Sequence, residues 1–202
     1  MNKKQWLKVG VLVSGRGSNL ESIITASKKG EMDASVAIVI SDNPLSPALK
    51  KAENAGIPTK IITRAKGEPK EAFESKIADA LREKGVALVV LAGFMRILSP
   101  FFLGQFPNRV INIHPSLLPA FPGLNAQKQA LDAGAKISGC TVHWVDAGCD
   151  TGPILLQARV PVLPGDTEDT LAKRILVEEH KLLPKAIDLI AKNKVRIGLK
   201  EV

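Results

Sequence analysis

Along most of the chain, short β-rich runs alternate with longer stretches of helical pattern, and this alternation limits the possible architectures most strongly. Leu7 to Val13, Val36 to Ile40, Thr59 to Thr63, Val86 to Leu91, Arg109 to Ile113, Gly139 to Val145 and Ile154 to Val160 read as strands. Helical patterns run from about Asn19 to Lys29, up to Gly56, from Pro69 toward Lys84, as a turn near Ser99 to Leu103, and from about Asn125 to Ala133. A long one covers roughly Thr167 to Asn193, with Asp166 or Thr167 as its cap. Val86 to Leu91 is wholly apolar, the kind of strand buried on both faces of a parallel sheet. The pattern predicts an α/β fold with a mainly parallel sheet and helices on both faces. The last two strands are close enough in sequence to pair antiparallel. Ser41 to Pro44 is a turn cluster, and Pro115, Pro119 and Pro122 make Pro115 to Gly123 a structured loop. With no repeat, linker or low-complexity stretch, residues 1–202 are expected to form one domain.

Composition excludes several classes. Hydrophobic residues at 45% and charged residues at 24% describe an ordinary globular chain. The apolar run Val86 to Met95 is half of the ~20 residues a membrane span needs. Lys3, Lys4 and Lys8 precede only a short apolar run, so no export signal is expected. The two cysteines, Cys140 and Cys149, have no CxxC spacing, which fits a reduced cytoplasmic protein without structural zinc. The net charge of +8 is scattered, tyrosine is absent, and the aromatics are not interleaved with Lys or Arg as in nucleic-acid platforms. The same charge would draw small anionic substrates.

Ser14-Gly15-Arg16-Gly17-Ser18-Asn19 follows the first strand and opens the first helix. Glycines permit the sharp turn, and the helix N-terminus offers free N–H groups to an anion. Leu20 stands where GxGxxG would carry its third glycine, and no Lys-Ser/Thr pair follows. Ser18 and Asn19 add side-chain donors suited to a terminal phosphate. A plain tight turn, or a dinucleotide site with Asp42 reading a ribose, are the alternatives.

Asn112 and His114 share one face of the fifth strand by its two-residue period, at the carboxyl edge where open α/β sheets bind ligands. An amide donor beside an imidazole suits acyl or formyl transfer: one stabilises an oxyanion, the other moves a proton. Asp150 could supply the negative partner, although spacing alone does not bring it to His114. The competing reading has Asn112 and Asp150 capping local turns and His114 as a satisfied core group. His143 reads as structural, His180 lies in the last helix, and three scattered histidines show no metal-ligand spacing.

Ser14 to Asn19, Leu91-Ala92-Gly93-Phe94-Met95-Arg96-Ile97-Leu98 and Asn112-Ile113-His114-Pro115-Ser116-Leu117-Leu118-Pro119 together resemble the phosphoribosylglycinamide formyltransferase family of folate-dependent enzymes. Gln127 to Leu131, Gly139 to Val145, Asp150 to Pro153 and Glu179-His180 continue the match in order. The resemblance implies a Rossmann-like three-layer formyltransferase fold with a mostly parallel central sheet. It implies transfer of a formyl group from 10-formyltetrahydrofolate, as cosubstrate, to the primary amine of glycinamide ribonucleotide in purine synthesis. No metal, nucleic acid or membrane is implied, the location is cytoplasmic, and the assembly is a monomer or homodimer.

Residue by residue, the resemblance makes Asn112, His114 and Asp150 catalytic and assigns Gly17, Ser18, Asn19 and Glu179 to the ribonucleotide. Lys70, Met95, Arg96, Ile97, Leu98, Asn112, Asp146, Ala147, Gly148, Cys149 and Asp150 fall to the folate site. Lys70 replaces a frequent Arg and lacks its planar fork. Asn125 stands where some members carry His, and Thr151 replaces a Gly. A methionyl-tRNA formyltransferase would add a C-terminal domain, and a formyltetrahydrofolate deformylase an N-terminal one. A nicotinamide oxidoreductase is disfavoured by the missing third glycine.

Overall fold

The computed structural model describes residues 6–193; Lys3, Lys4 and both ends of the expected 1–202 domain lie outside the described residues. One seven-stranded sheet contains β1 (Leu7–Val13), β2 (Ala34–Ser41), β3 (Thr59–Ile61), β4 (Leu88–Leu91), β5 (Val110–His114), β6 (Ile137–Trp144) and β7 (Ile154–Pro161). Their spatial order is β3-β2-β1-β4-β5-β6-β7. β1 to β5 are parallel, while β6 and β7 pair antiparallel, as their short connection allows. The helices are α1 (Ser18–Lys28), α2 (Pro47–Asn54), α3 (Lys70–Glu83), α4 (Pro100–Gln105), α5 (Ala126–Asp132) and α6 (Glu168–Ala191).

Strand alternation feeds two cores. Val9, Val11 and Val13 of β1 join Leu20 and Ile23 of α1 and Leu171, Ile175 and Leu183 of α6. Leu12 faces the other way, toward Phe73, Ile77 and Leu81 of α3 and Phe102 of α4. Each such side chain, fully buried, stabilises the fold by about 1.5–3 kcal/mol before entropy is counted. The result is the three-layer arrangement that the periodicity predicts.

Local chemistry sets the element ends. β4 starts two residues after Val86, because the Val86 N–H donates back to the Leu81 carbonyl and closes α3 instead. Of the two expected caps for α6, Thr167 serves: its Oγ1 accepts from Thr170 N at 3.3 Å, and Thr170 Oγ1 accepts from Thr167 N at 2.9 Å. Asp166 instead takes two bonds from Arg174, at 2.6 and 2.8 Å. Together with the Leu163 N–H, they hold its carboxyl well below the usual range.

Strand order reverses between β1 and β4, so the loops that follow them part and leave a crevice at the carboxyl edge. On β5, Ile111 and Ile113 join the α1/α6 core and Val110 joins the α3/α4 core. By alternation, Asn112 and His114 share the face of Val110. The residues between β6 and β7 fold back over this part of the sheet. That return segment brings Asp150 to β5.

Candidate active site

Two adjoining clefts open along this edge, with Gly93, Met95, Ile113 and Pro115 lining both. The first is walled by Ser14 to Asn19 on one side and by Asp169, Lys173 and Glu179 of α6 on the other. Gly17 turns the chain there with φ +71°, and a Cβ on it would stand 2.8 Å from Ala48 Cα, so only glycine fits. The loop is pinned from behind: Asn43 Nδ2 donates to Ser14 O at 3.1 Å and Ser46 Oγ to Gly15 O at 2.7 Å. Glu21 N makes the first intrahelical bond, to Gly17 O, so the N–H groups of Ser18 and Asn19 precede the helical ladder. With the helix dipole, they form an anion site.

At the far wall Asn19 Nδ2 donates to Glu179 Oε2 at 2.7 Å. Burial pushes the Glu179 carboxyl up, and the Asn19 bond offsets this only in part. Asn19 Oδ1 is buried without a partner, an acceptor left for a donor to satisfy.

The second cleft, about 470 Å3, runs between Leu91 to Leu98 and the segment after β6. Asn112, His114, His143 and Asp150 meet on its floor. Asp150 Oδ2 lies 3.2 Å from His114 Nδ1 and accepts from Gly123 N at 2.9 Å. Asp150 Oδ1 lies 3.5 Å from His143 Nε2 and accepts from Asn112 Nδ2 at 3.4 Å. Asp150 itself holds φ +56°, a left-handed conformation that turns its carboxylate inward. Burial pushes its carboxyl up from 3.8. The His143 bond, the Gly123 N–H and the charges of both histidines outweigh this and bring it to about 2.

His114 is 5% exposed, and both its ring nitrogens face acceptors. Nε2 lies 2.9 Å from the Phe121 carbonyl, which can only accept, and Nδ1 faces the carboxylate. Two acceptors call for two N–H groups, so the imidazolium is the form that satisfies this geometry. His143 Nδ1 donates to Trp144 O at 2.9 Å, leaving Nε2 to face Asn112 Nδ2 at 3.2 Å.

The structure thus brings Asn112, His114 and Asp150 together, and lines the same cleft with Met95 to Leu98, Asp146, Gly148 and Cys149. Gly17, Ser18, Asn19 and Glu179 line the other. Lys70, the first residue of α3, and Ala147 are not part of the lining of the second cleft. His143, read as structural from its strand position, stands against Asp150. The antiparallel register places it opposite Asn112, a pairing no local pattern reveals. The Gly123 N–H and the Phe121 carbonyl also escaped the sequence, since backbone groups leave no residue-type signal. Asp42 is bonded to Ser14 and Arg96 rather than open to a ribose. Among the described residues, no group of three or more His, Cys, Asp or Glu could hold a metal, and no helix could cross a membrane.

Residues 7–187 match the family described as Formyl transferase. The phosphoribosylglycinamide formyltransferase of Bacillus subtilis (strain 168) is 44% identical over 180 residues, covering 89% of this chain and 92% of the relative. The trifunctional purine biosynthetic protein adenosine-3 of Bos taurus is 46% identical over 191 residues. That match takes in 95% of this chain but spans only 19% of the relative's length. Glycinamide ribonucleotide transformylase 1 from Symbiobacterium toebii superposes with a TM-score of 0.94 at 48% identity, over 97% of this chain and 92% of that one. Fold, family match and relatives agree, and the chain belongs to the formyl transferase family, among the phosphoribosylglycinamide formyltransferases.

Proposed function

We propose that this protein transfers the formyl group of 10-formyltetrahydrofolate to the primary amine of glycinamide ribonucleotide, a cytoplasmic step of purine synthesis, with residues 1–202 acting as one catalytic domain. The observation that carries the reading is the His114–Asp150 pair, 3.2 Å apart, beside the junction of an anion-binding cleft with a second, mostly apolar one. The ribonucleotide phosphate takes the N-terminus of α1 at Gly17, Ser18 and Asn19, with Glu179 contacting the same substrate. The folate lies along Met95 to Leu98 and Asp146 to Asp150, and directs its formyl carbon toward Asn112 and His114.

The amine nitrogen attacks the formyl carbon, a C–N bond forms, and the carbonyl oxygen becomes an oxyanion. Asn112 and the His114 imidazolium stabilise it; an oxyanion donor of this kind contributes ~3–4 kcal/mol. For Nε2–H to reach the oxyanion, it must leave the Phe121 carbonyl. Asp150 holds the His114 ring oriented through Nδ1. The proton lost by the amine ends on folate N10 as the C–N10 bond breaks, giving the formylated ribonucleotide and tetrahydrofolate. Holding two substrates at contact distance supplies ~7–11 kcal/mol, more than either side-chain effect.

Incubation with glycinamide ribonucleotide and 10-formyltetrahydrofolate, followed through folate absorbance, tests this. Folate deformylation that needs both substrates and yields formylated ribonucleotide is the expected result. Formate release without the ribonucleotide would identify a hydrolase instead.

A further inference from the structure

The two clefts are joined by a hydrogen-bond ring that the proposed chemistry does not use. Asp42, at the end of β2, has a side chain only 8% exposed. Its Oδ1 accepts from Ser14 Oγ at 2.6 Å and its Oδ2 from Arg96 Nε at 2.5 Å. Ser14 Oγ in turn accepts from the Met95 N–H at 2.9 Å, closing the ring. Ser14 lines the anion cleft, Arg96 lines the second cleft, and Met95 lines both. The Arg96 guanidinium also lies over the Phe73 ring, 5.1 Å from its centre. Glu74, the next residue of α3, accepts from the N–H and hydroxyl of Ser99. The segment Met95 to Ser99 is therefore fastened to α3 at one end and to β2 through Asp42 at the other.

The two partners of Asp42 are both donors, one on each carboxylate oxygen. An amide could keep its oxygen toward Arg96 and turn an N–H toward Ser14 Oγ, whose hydroxyl oxygen accepts, so Asp42→Asn keeps both contacts but gives up the charge. The bonds to a charged acceptor are the stronger kind, and low exposure protects them from screening.

From this ring we infer that Asp42 is a positioning residue that sets the shared wall of both clefts, coupling the glycine loop that meets the ribonucleotide to the Met95–Leu98 wall that meets the folate. It touches neither substrate. This inference rests on the substrate assignment above for its kinetic arm, but not for its structural one.

The test compares wild type with Asp42→Ala and Asp42→Asn in amide exchange and in steady-state kinetics. In the unliganded protein, Asp42→Ala accelerates exchange of the Met95 amide about tenfold, the size expected when a charge-assisted bond is lost, while amides inside β2 and β4 stay protected. The same variant raises the KM for both substrates about tenfold, with kcat within about threefold of wild type. Asp42→Asn keeps both contacts, its amide oxygen on Arg96 and its N–H on Ser14 Oγ, so it restores both KM values to within about threefold of wild type. That rescue is the signature of positioning. Equal loss of kcat, both KM values and thermal stability in both variants would overturn the inference, as would unchanged KM values despite faster Met95 exchange. If the wild-type chain transfers no formyl group, the functional reading fails. The Met95 amide still decides the tie, because unaltered exchange in Asp42→Ala overturns it.

Discussion

His114 Nδ1 and Asp150 Oδ2 meet 3.2 Å apart, the histidine coming from a strand end and the carboxylate from a loop that folds back over the sheet. Neither partner lines the cleft proposed for the ribonucleotide. Removing either should therefore strike turnover rather than phosphate binding. His114→Ala and Asp150→Asn are each expected to lower kcat by about 10²–10⁴-fold. Ribonucleotide affinity, measured by calorimetry without folate, should stay within a few fold. Near-wild-type turnover in both variants would remove the pair from the chemistry.

The same pair fixes an acid-stability signature. The Asp150 carboxyl sits at about 2 in the fold against an ordinary 3.8, so its contribution is complete above the unfolded value and disappears as pH falls toward 2. Unfolding free energies of wild type and Asp150→Asn from urea titration should differ by a constant amount above about pH 5, on the order of 2 kcal/mol, and converge between about pH 4 and 2. A gap that does not change across that window would show that Asp150 is not stabilised as an anion.

Asn19 makes the bond that partly offsets burial of the Glu179 carboxyl, and its own Oδ1 is unpartnered. Asn19→Ala strips a buried carboxyl of its donor and removes a contact proposed for the ribonucleotide. Together with Ser18→Ala, it should weaken ribonucleotide binding by about tenfold or more while sparing formylfolate. Titration of each ligand separately checks this, and unchanged ribonucleotide affinity would refute the phosphate assignment.

Gly17→Ala tests the turn beneath that site. The new methyl meets Ala48, and the residue must hold φ +71°. A loss of about 2–4 kcal/mol in denaturant unfolding is expected, with weaker anion binding. A stability within error of wild type would mean that α2 yields easily and the loop is not rigid.

The layered fold was legible because its signals are local: the apolar run at β4, the two-residue period of β5 and the glycine loop all act within a few residues. The site was legible only in part. Asn112 and His114 share a strand, so their common face follows from period alone. Asp150 reaches them through a left-handed turn inside an irregular loop, and no periodicity describes such a path. That His143 stands against Asp150 depends on which β6 residue faces Asn112, a property of pairing between strands. Asp42 could read a ribose only in the dinucleotide alternative, and the donors Ser14 and Arg96 claim both its oxygens. Lys70 could be assigned only by likeness, since a lone cation at a helix start carries no chemistry of its own.

The antiparallel pairing of β5 with β6 makes alignment itself a chemical variable. Asn112 opposite His143 and His114 opposite Thr141 hold only in this alignment. Sliding one strand past the other by a single residue would swap its faces and send the second imidazole to the opposite layer. An insertion within β6 could thus silence the enzyme while the sheet still forms, and deletions there should be judged by their parity rather than by their length.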